Sequence, residues 1–175
     1  MIVHKGKTFF CADTSVHEYP TSEQMAEIAV STARVVRLFG FDPKVAFVSH
    51  STFGQPSTNR TKHIKKAVDI LKDKNVDFEF DGDMQPDVAL NSEYEELYPF
   101  SKIVGKANIL IMPGQHSAAI SYKLMKTIGD TKVIGPLLIG LGLPIEIAPL
   151  RTSTSELINL ASIAAYSAEK IDYDK

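Results

Sequence analysis

The chain has 175 residues, of which 44% are hydrophobic, so it can bury one substantial core. Its 19 basic and 21 acidic residues leave a formal net charge of -2, which excludes the large basic field of a non-specific nucleic-acid binder. The single cysteine, Cys11, excludes an intrachain disulfide and is typical of a reducing cytoplasm. No signal-peptide pattern and no membrane-spanning apolar segment is present in the sequence, so we expect a cytoplasmic protein with no membrane partner.

Strand-like and helix-like patterns alternate along almost the whole chain. In chain order they predict a strand at 8–12, a helix at 21–40, a strand at 45–48, a helix at 57–74, a strand at 76–80 that ends at Asp81-Gly82, a short helix near Pro86, a strand at 108–112, a helix at 117–128, strands at 134–141 and 145–147, and a helix from 153 to about 167. Capping boxes of Thr21 with Gln24 and of Ser153 with Glu156 mark two of the helix starts. This alternation predicts an α/β three-layer sandwich with a mostly parallel sheet.

Three loops beside the predicted strands are rich in glycine, serine, threonine or proline. They are residues 49–54 (SHSTFG), 112–117 (MPGQHS) and 134–136 (IGP). Small residues at a strand-to-helix junction leave backbone N–H groups available to an anion, and open α/β sheets bind ligands at such strand ends. The loops therefore predict a ligand that carries phosphate.

Four ordered blocks of the sequence resemble phosphate acetyltransferases. They are residues 45–54 (VAFVSHSTFG), 81–90 (DGDMQPDVAL), 105–113 (GKANILIMP) and 134–144 (IGPLLIGLGLP). The segments 6–21 and 113–121 resemble more closely a variant of that domain, the C-terminal region of large bacterial NADP-dependent malic enzymes. The resemblance implies one subdomain of a two-subdomain fold similar to that of isocitrate dehydrogenases. It implies an α/β subdomain at 1–150 and, at 151–175, a return helix that packs on the missing subdomain or a neighbouring chain.

Two departures from the family bear on activity: the residues before the last helix, and a length about half that of the family's domain. The resemblance implies a Ser-Arg pair before the last helix, where the arginine would bind phosphate and the serine would assist thiolate chemistry; an ungapped comparison places Pro149 and Leu150 there. Arg151, one residue away, is the only catalytic candidate, and whether the chain is an enzyme stays open. Glu156 corresponds to an acidic residue of the family, although its place in a capping box favours a structural role. The sequence has no GxGxxG fingerprint and no acidic metal cluster, so malate oxidation would need further chain.

The candidate ligand-binding residues are Ser51, Thr52, Gly54, Gln115, His116, Ser117, Lys123 and Arg151. The last-named lysine and arginine would supply charge to phosphate oxygens. For His50 and His116 the alternative is a loop histidine bonded to backbone. The remaining three histidines are interpreted as surface or capping residues; they are His4, His17 and His63. No metal-ligand spacing is present, so no metal is expected, and Cys11 is interpreted as a buried, inert thiol.

Three functions follow from these expectations. The first is a regulatory domain of a malic enzyme that binds acetyl-CoA, CoA or acetyl phosphate without turnover. The second is an active phosphate acetyltransferase built around Arg151, and the third is an assembly module. The last predicted helix is apolar nearly all round, so we expect it to drive formation of a homodimer or larger homo-oligomer. No covalently bound cofactor is expected.

Overall fold

The computed structural model describes residues 1–170 as an α/β fold. Its elements are β1 (Ile2–His4), β2 (Lys7–Ala12), α1 (Ser22–Leu38), β3 (Lys44–Val48), α2 (Asn59–Asp73), β4 (Glu79–Met84), α3 (Pro86–Leu90), β5 (Ile109–Ile111), α4 (Gln115–Ile128), β6 (Thr131–Val133) and α5 (Thr154–Lys170), with a 3-10 turn at Ser92–Tyr94.

The strands form one mixed sheet in the order β4-β3-β5-β2-β1-β6. Strands β4, β3, β5 and β2 are parallel, whereas β1 runs antiparallel to both β2 and β6. The β1–β2 hairpin turns through Lys5 and Gly6 with φ of 47° and 74°, and glycine reaches this left-handed region without strain. The predicted α/β class with a mostly parallel sheet is confirmed.

Two hydrophobic cores cover the two faces of the sheet. Alternate residues of β3 face opposite cores, with Val45 and Phe47 on one side and Ala46 and Val48 on the other, and none is more than 2% exposed. The first core is covered by α1 and α2, and the second by α3, α4 and residues 103–107. Burial on both faces explains why β3 is a continuous apolar run, as predicted from its sequence.

Both predicted capping boxes are present. The side chains and backbone N–H groups of Thr21 and Gln24 bond reciprocally at the start of α1. At the start of α5, the backbone N–H of Ser153 donates to Oε2 of Glu156 at 2.8 Å, and Oγ of Ser153 accepts from the Glu156 N–H at 3.3 Å. After α1, Gly40 has φ of 81° and ends the helix, as expected of a left-handed C-terminal residue.

Three predictions about the elements are wrong, and the sequence analysis does not predict the short strands β1 and β6. The strands predicted at 134–141 and 145–147 are reduced to one isolated bridge between Leu137 and Glu146, because three glycines and two prolines between 135 and 144 prevent a continuous ladder. The strand predicted at 76–80 instead begins at Glu79 and continues through Gly82 to Met84. A Cβ on Gly82 would lie 2.7 Å from Cβ of Phe47, so this strand pairing depends on glycine. The last helix continues past residue 167 to Lys170.

Helix α5 is attached to the rest of the chain by few contacts. Its Tyr166 stacks on Phe39 with ring centroids 6.2 Å apart and donates its O–H to the carbonyl of Leu38 at 2.8 Å. Leu160 is buried, but Leu157 and Ile158 are 46% and 61% exposed. The predicted return segment 151–175 extends into 171–175, which lies outside the described residues. Within 1–170, no helix has the length and hydropathy that a membrane crossing needs.

Candidate functional site

The three loops singled out in the sequence lie at one edge of the sheet. Residues 49–54 follow β3, residues 112–117 follow β5, and residues 134–136 follow β6. Because β1 is antiparallel to both β2 and β6, β6 runs in the same direction as β2 and the other parallel strands. The carboxyl ends of β4, β3, β5, β2 and β6 therefore meet at the edge where open α/β sheets bind ligands.

The loop after β3 is fastened to the end of β4 through its own hydroxyl groups. Ser51 is fully buried and donates its hydroxyl to the carboxylate of Asp83, itself 2% exposed. Oγ1 of Thr52 accepts the backbone N–H of Gln85 at 3.2 Å. The predicted ligand residues Ser51 and Thr52 are thus internal anchors, and Gly54, with φ of 81°, turns the chain behind them.

The loop after β5 is covered by the segment that follows β2. The backbone N–H of Gln115, in the first turn of α4, donates to the carbonyl of Glu18 at 3.1 Å. A Cβ on Gly114 would lie 2.8 Å from that same oxygen, so glycine permits the approach. Ser117 donates its hydroxyl back to the Gly114 carbonyl at 2.8 Å, while His116 is exposed. The start of α4 therefore has part of its anion-binding capacity occupied by the chain itself.

An Asp-His pair that the sequence analysis did not assign to the site lies between these loops. The Asp13 carboxylate accepts backbone N–H groups from Ser15, Val16 and His17 at 2.8–2.9 Å, and its Oδ2 lies 2.8 Å from Nδ1 of His17. Burial opposes ionisation of Asp13, but these donors outweigh it and hold the pKa of the carboxyl below its usual value. The spacing of four residues directly after a strand is the signal in the sequence that could identify this pair, although the sequence analysis interprets His17 as a surface or capping residue.

Asp13 and His17 line an open groove of about 540 Å³. One wall consists of residues 11–17 and the exposed side of α1, and the other consists of residues 136–140 and Ile147. Cys11 also lines the groove, and burial raises the pKa of its thiol to about 11, which disfavours the reactive thiolate. Across residues 1–170, no three His, Cys, Asp or Glu side chains are grouped to hold a metal ion.

Arg151 lies in a different cavity, of about 180 Å³, between α4, α5 and residues 133–135. There Nζ of Lys126 lies 2.7 Å from Oε1 of Glu156. This lysine, together with Ser153, lowers the pKa of Glu156 to about 2. Lys123 is exposed on α4 with its Nζ 5.9 Å from the ring centroid of its neighbour Tyr122. The structure thus brings Arg151 to the third loop and not to the first two.

Comparison with known proteins decides the family. Residues 1–165 match the family model described as "Phosphate acetyl/butaryl transferase". The chain belongs to this family. An NADP-dependent malic enzyme of Rhizobium meliloti is 48% identical over 164 residues, which cover 94% of the chain and 22% of that enzyme. A phosphate acetyltransferase of Clostridium acetobutylicum is 35% identical over 161 residues, covering 91% of the chain and 48% of that protein.

Solved structures of phosphotransacetylases have the same fold. The EutD phosphotransacetylase from Staphylococcus aureus matches with a TM-score of 0.88 and 28% identity, over 95% of the chain and 52% of that protein. A phosphotransacetylase from Streptococcus pyogenes matches with a TM-score of 0.85 and 34% identity, over 91% of the chain and 49% of that protein. The resemblance to the C-terminal, phosphate acetyltransferase-like part of NADP-dependent malic enzymes is confirmed, and the chain spans about a fifth to a half of the relatives it matches.

Proposed function

We propose that this domain regulates an NADP-dependent malic enzyme by binding acetyl-CoA or an acyl phosphate without turning it over. The observation that carries the proposal is the pair Pro149 and Leu150, in the place where the family resemblance implies Ser and Arg. Neither side chain donates a hydrogen bond or carries charge, and Leu150 is fully exposed. Loss of a single preorganised donor to a developing oxyanion costs about 10²–10³ in rate, so group transfer is not expected.

Three other nucleophilic groups near the sheet edge are also unsuited to turnover. The hydroxyl of Ser51 is committed to Asp83, and that of Ser117 to the Gly114 carbonyl. The Cys11 thiol, with a pKa of about 11, is protonated at neutral pH. The family fold and the groove at its strand ends support ligand binding, whereas these commitments do not support chemistry on the ligand.

Regulation requires that the ligand bind two states of the parent enzyme with different affinity. The chain corresponds to 22% of the Rhizobium meliloti malic enzyme, so we assign malate oxidation and NADP binding to the remainder of such a protein. A cytoplasmic setting stays a prediction that rests on the single cysteine.

An active phosphate acetyltransferase is the second candidate, and the Arg151 cavity is the observation that favours it. That cavity also contains Lys126 and Asn159, which could meet an anion, although Lys126 is already paired with Glu156. In this alternative Arg151 would replace the family arginine.

Calorimetry separates the two candidates. We would titrate the chain with acetyl-CoA in phosphate buffer and assay free thiol afterwards, with Arg151→Met and the exposed Arg34→Met as a matched pair. Saturable binding without thiol release supports the regulatory proposal. Thiol release that scales with protein concentration, and that Arg151→Met but not Arg34→Met abolishes, would establish the acetyltransferase instead.

We also propose that α5 holds copies of the chain together in a dimer or larger homo-oligomer. Leu157 and Ile158 leave apolar surface exposed on this helix, and burial of such surface stabilises association. Light scattering coupled to size-exclusion chromatography should give at least twice the 19.3 kDa of one chain. Ile158→Glu should shift the mass towards the monomer, and Glu169→Lys, a charge change on the same helix, should not. A monomer at high concentration would contradict the assembly role.

A further inference from the structure

Residues 136–147, here termed the lid, supply the wall of the groove that lies across from Asp13 and His17. Of these, residues 136–140 and Ile147 line the groove of about 540 Å³. The lid contains no helix and no strand, and its isolated bridge joins Leu137 to Glu146 within the lid itself. A segment with so little backbone pairing opens locally at a low cost in free energy.

The lid reverses the usual placement of apolar and polar side chains. Four of its large apolar side chains are 45–61% exposed; they are Leu141, Leu143, Ile145 and Ile147. In contrast, Oε2 of Glu146 is buried and has no hydrogen-bond partner among the described residues. Because a buried polar atom without a partner is unfavourable, Glu146 is the weak point of the closed lid.

The surroundings of Glu146 are mostly apolar. It lines a cavity of about 70 Å³ between the lid, the end of α1 and α5, and no other described lining residue is titratable. The lining residues from the two helices are Val35, Leu38, Ile163 and Ser167. Burial raises the pKa of the Glu146 carboxyl above its usual value, although the backbone N–H of Leu138 and the Met1 amino group oppose this. An ionised carboxylate is therefore unfavourable in the closed position.

No cation pairs directly with the Glu146 carboxylate. Glu146 takes part in none of the ion pairs among residues 1–170. The Met1 amino group attracts it, but this group donates to the Ile134 carbonyl at 2.9 Å, and burial lowers its pKa, so its charge is lost as the pH rises.

The helices and strands around the cavity carry few further charges. Those nearest in sequence to the lining residues are Arg34 and Arg37 on α1 and Glu169 and Lys170 on α5, while the Cys11 thiol on β2 interacts with the Met1 amino group. Arg37 is paired with Asp77 at 3.0 Å, and Nζ of Lys170 lies 5.7 Å from the ring centroid of Tyr166. An ionised Glu146 is thus best stabilised by water, which it reaches when the lid moves outward.

We propose that the lid closes over the groove while the Glu146 carboxyl is neutral, and that ionisation of this carboxyl opens the lid. The bridge partner of Glu146 is Leu137, which lines the groove, so movement of Glu146 into water displaces the groove wall. The lid thereby regulates access to the groove. This inference rests on the proposed function only in treating the groove as a ligand site.

The direction of the pH dependence follows from the raised pKa of Glu146. The closed lid binds the proton more tightly than the open lid, in which the solvated carboxyl has its usual value of 4.5. Closure is therefore fully favoured below pH 4.5 and is weakened as the pH rises from 4.5 through the pKa of the closed form.

Hydrogen–deuterium exchange of the ligand-free chain, followed in peptides from the lid, measures this opening. Each exchange rate is divided by the intrinsic rate at the same pH. Each unit by which closure raises the pKa changes the opening equilibrium about tenfold. Between about pH 4 and about pH 8 the corrected rate of the wild-type lid should therefore rise about threefold or more, whereas peptides from β3 should not change.

Two variants of Glu146 and one control complete the test. Glu146→Gln removes the charge at nearly constant shape, and Glu146→Met also removes the polar group, so that it closes the lid even if a buried amide opens it. Neither variant should show the rise. Glu169→Gln, the same change at an exposed carboxyl on α5, should retain it.

A wild-type lid whose corrected exchange does not rise with pH would overturn the inference, and so would the same rise in either Glu146 variant. The exchange measurement uses no ligand, so its failure leaves the regulatory proposal standing. That proposal fails by a different result, the absence of acetyl-CoA binding in calorimetry.

Discussion

Replacing Ser51 with alanine should destabilise the fold, since its hydroxyl fastens the loop after β3 to the end of β4. Ser51 is fully buried, and the carboxylate of Asp83 that accepts its hydrogen bond is 2% exposed. A hydrogen bond to a charged group contributes about 1.5–3 kcal/mol net, and a buried group left without its partner costs about 1–3 kcal/mol. The two figures describe partly the same loss and are therefore not added in full. We expect Ser51→Ala to lower the free energy of unfolding by about 2–4 kcal/mol.

Urea unfolding monitored by circular dichroism measures this loss. With a slope of about 1–3 kcal/mol/M for a small protein, the midpoint should fall by about 1 M or more while the slope stays constant. Ser49→Ala is the matched control, because the Ser49 hydroxyl makes only long contacts, at 3.4 Å to Ser51 and 3.5 Å to His50. If Ser51→Ala shifts the midpoint no more than Ser49→Ala does, the anchoring role of the Ser51–Asp83 bond is refuted.

Three further predictions concern other parts of the fold. Gly82→Ala places a Cβ 2.7 Å from Cβ of Phe47 and should destabilise by about 1–3 kcal/mol; an unchanged thermal midpoint would contradict it. Lys126 and Ser153 lower the pKa of Glu156 from 4.5 to about 2. The stabilisation that the ionised Glu156 carboxylate gives to the folded chain is therefore present above pH 4.5 and is lost as the pH falls towards 2. The stability difference between wild type and Glu156→Gln should therefore shrink over that range, and a constant difference would refute it. Because burial raises the pKa of Cys11 from 9.0 to about 11, iodoacetamide should alkylate the native thiol at pH 8 about 100-fold more slowly than the urea-unfolded thiol, and equal rates would show an accessible thiolate.

Local patterns in the sequence predicted the architecture. The capping boxes at Thr21 and Ser153 are where the sequence placed them, because a cap depends on residues three positions apart. The apolar run of β3 indicated burial on both faces, and the order of strands and helices indicated a parallel sheet. The apolar run after Val133 gave a wrong prediction of strands at 134–141 and 145–147. Its glycines and prolines leave only the bridge between Leu137 and Glu146, which hydrophobicity alone does not indicate.

The direction of individual side chains depended on contacts that are remote in sequence. Composition marked the loop after β3 as polar, but Ser51 meets Asp83 across 32 positions, and that partner turns the hydroxyl inward. The sequence alone indicates a surface or capping role for His17, and only the folded chain places residues 136–140 and Ile147 across the groove from Asp13 and His17. Short-range periodicity and capping therefore indicated the helices and the parallel strands β2 to β5, but not the short strands β1 and β6. Which polar groups are left for a ligand was set by packing between distant segments, because a buried donor or acceptor takes whichever partner the fold brings to it.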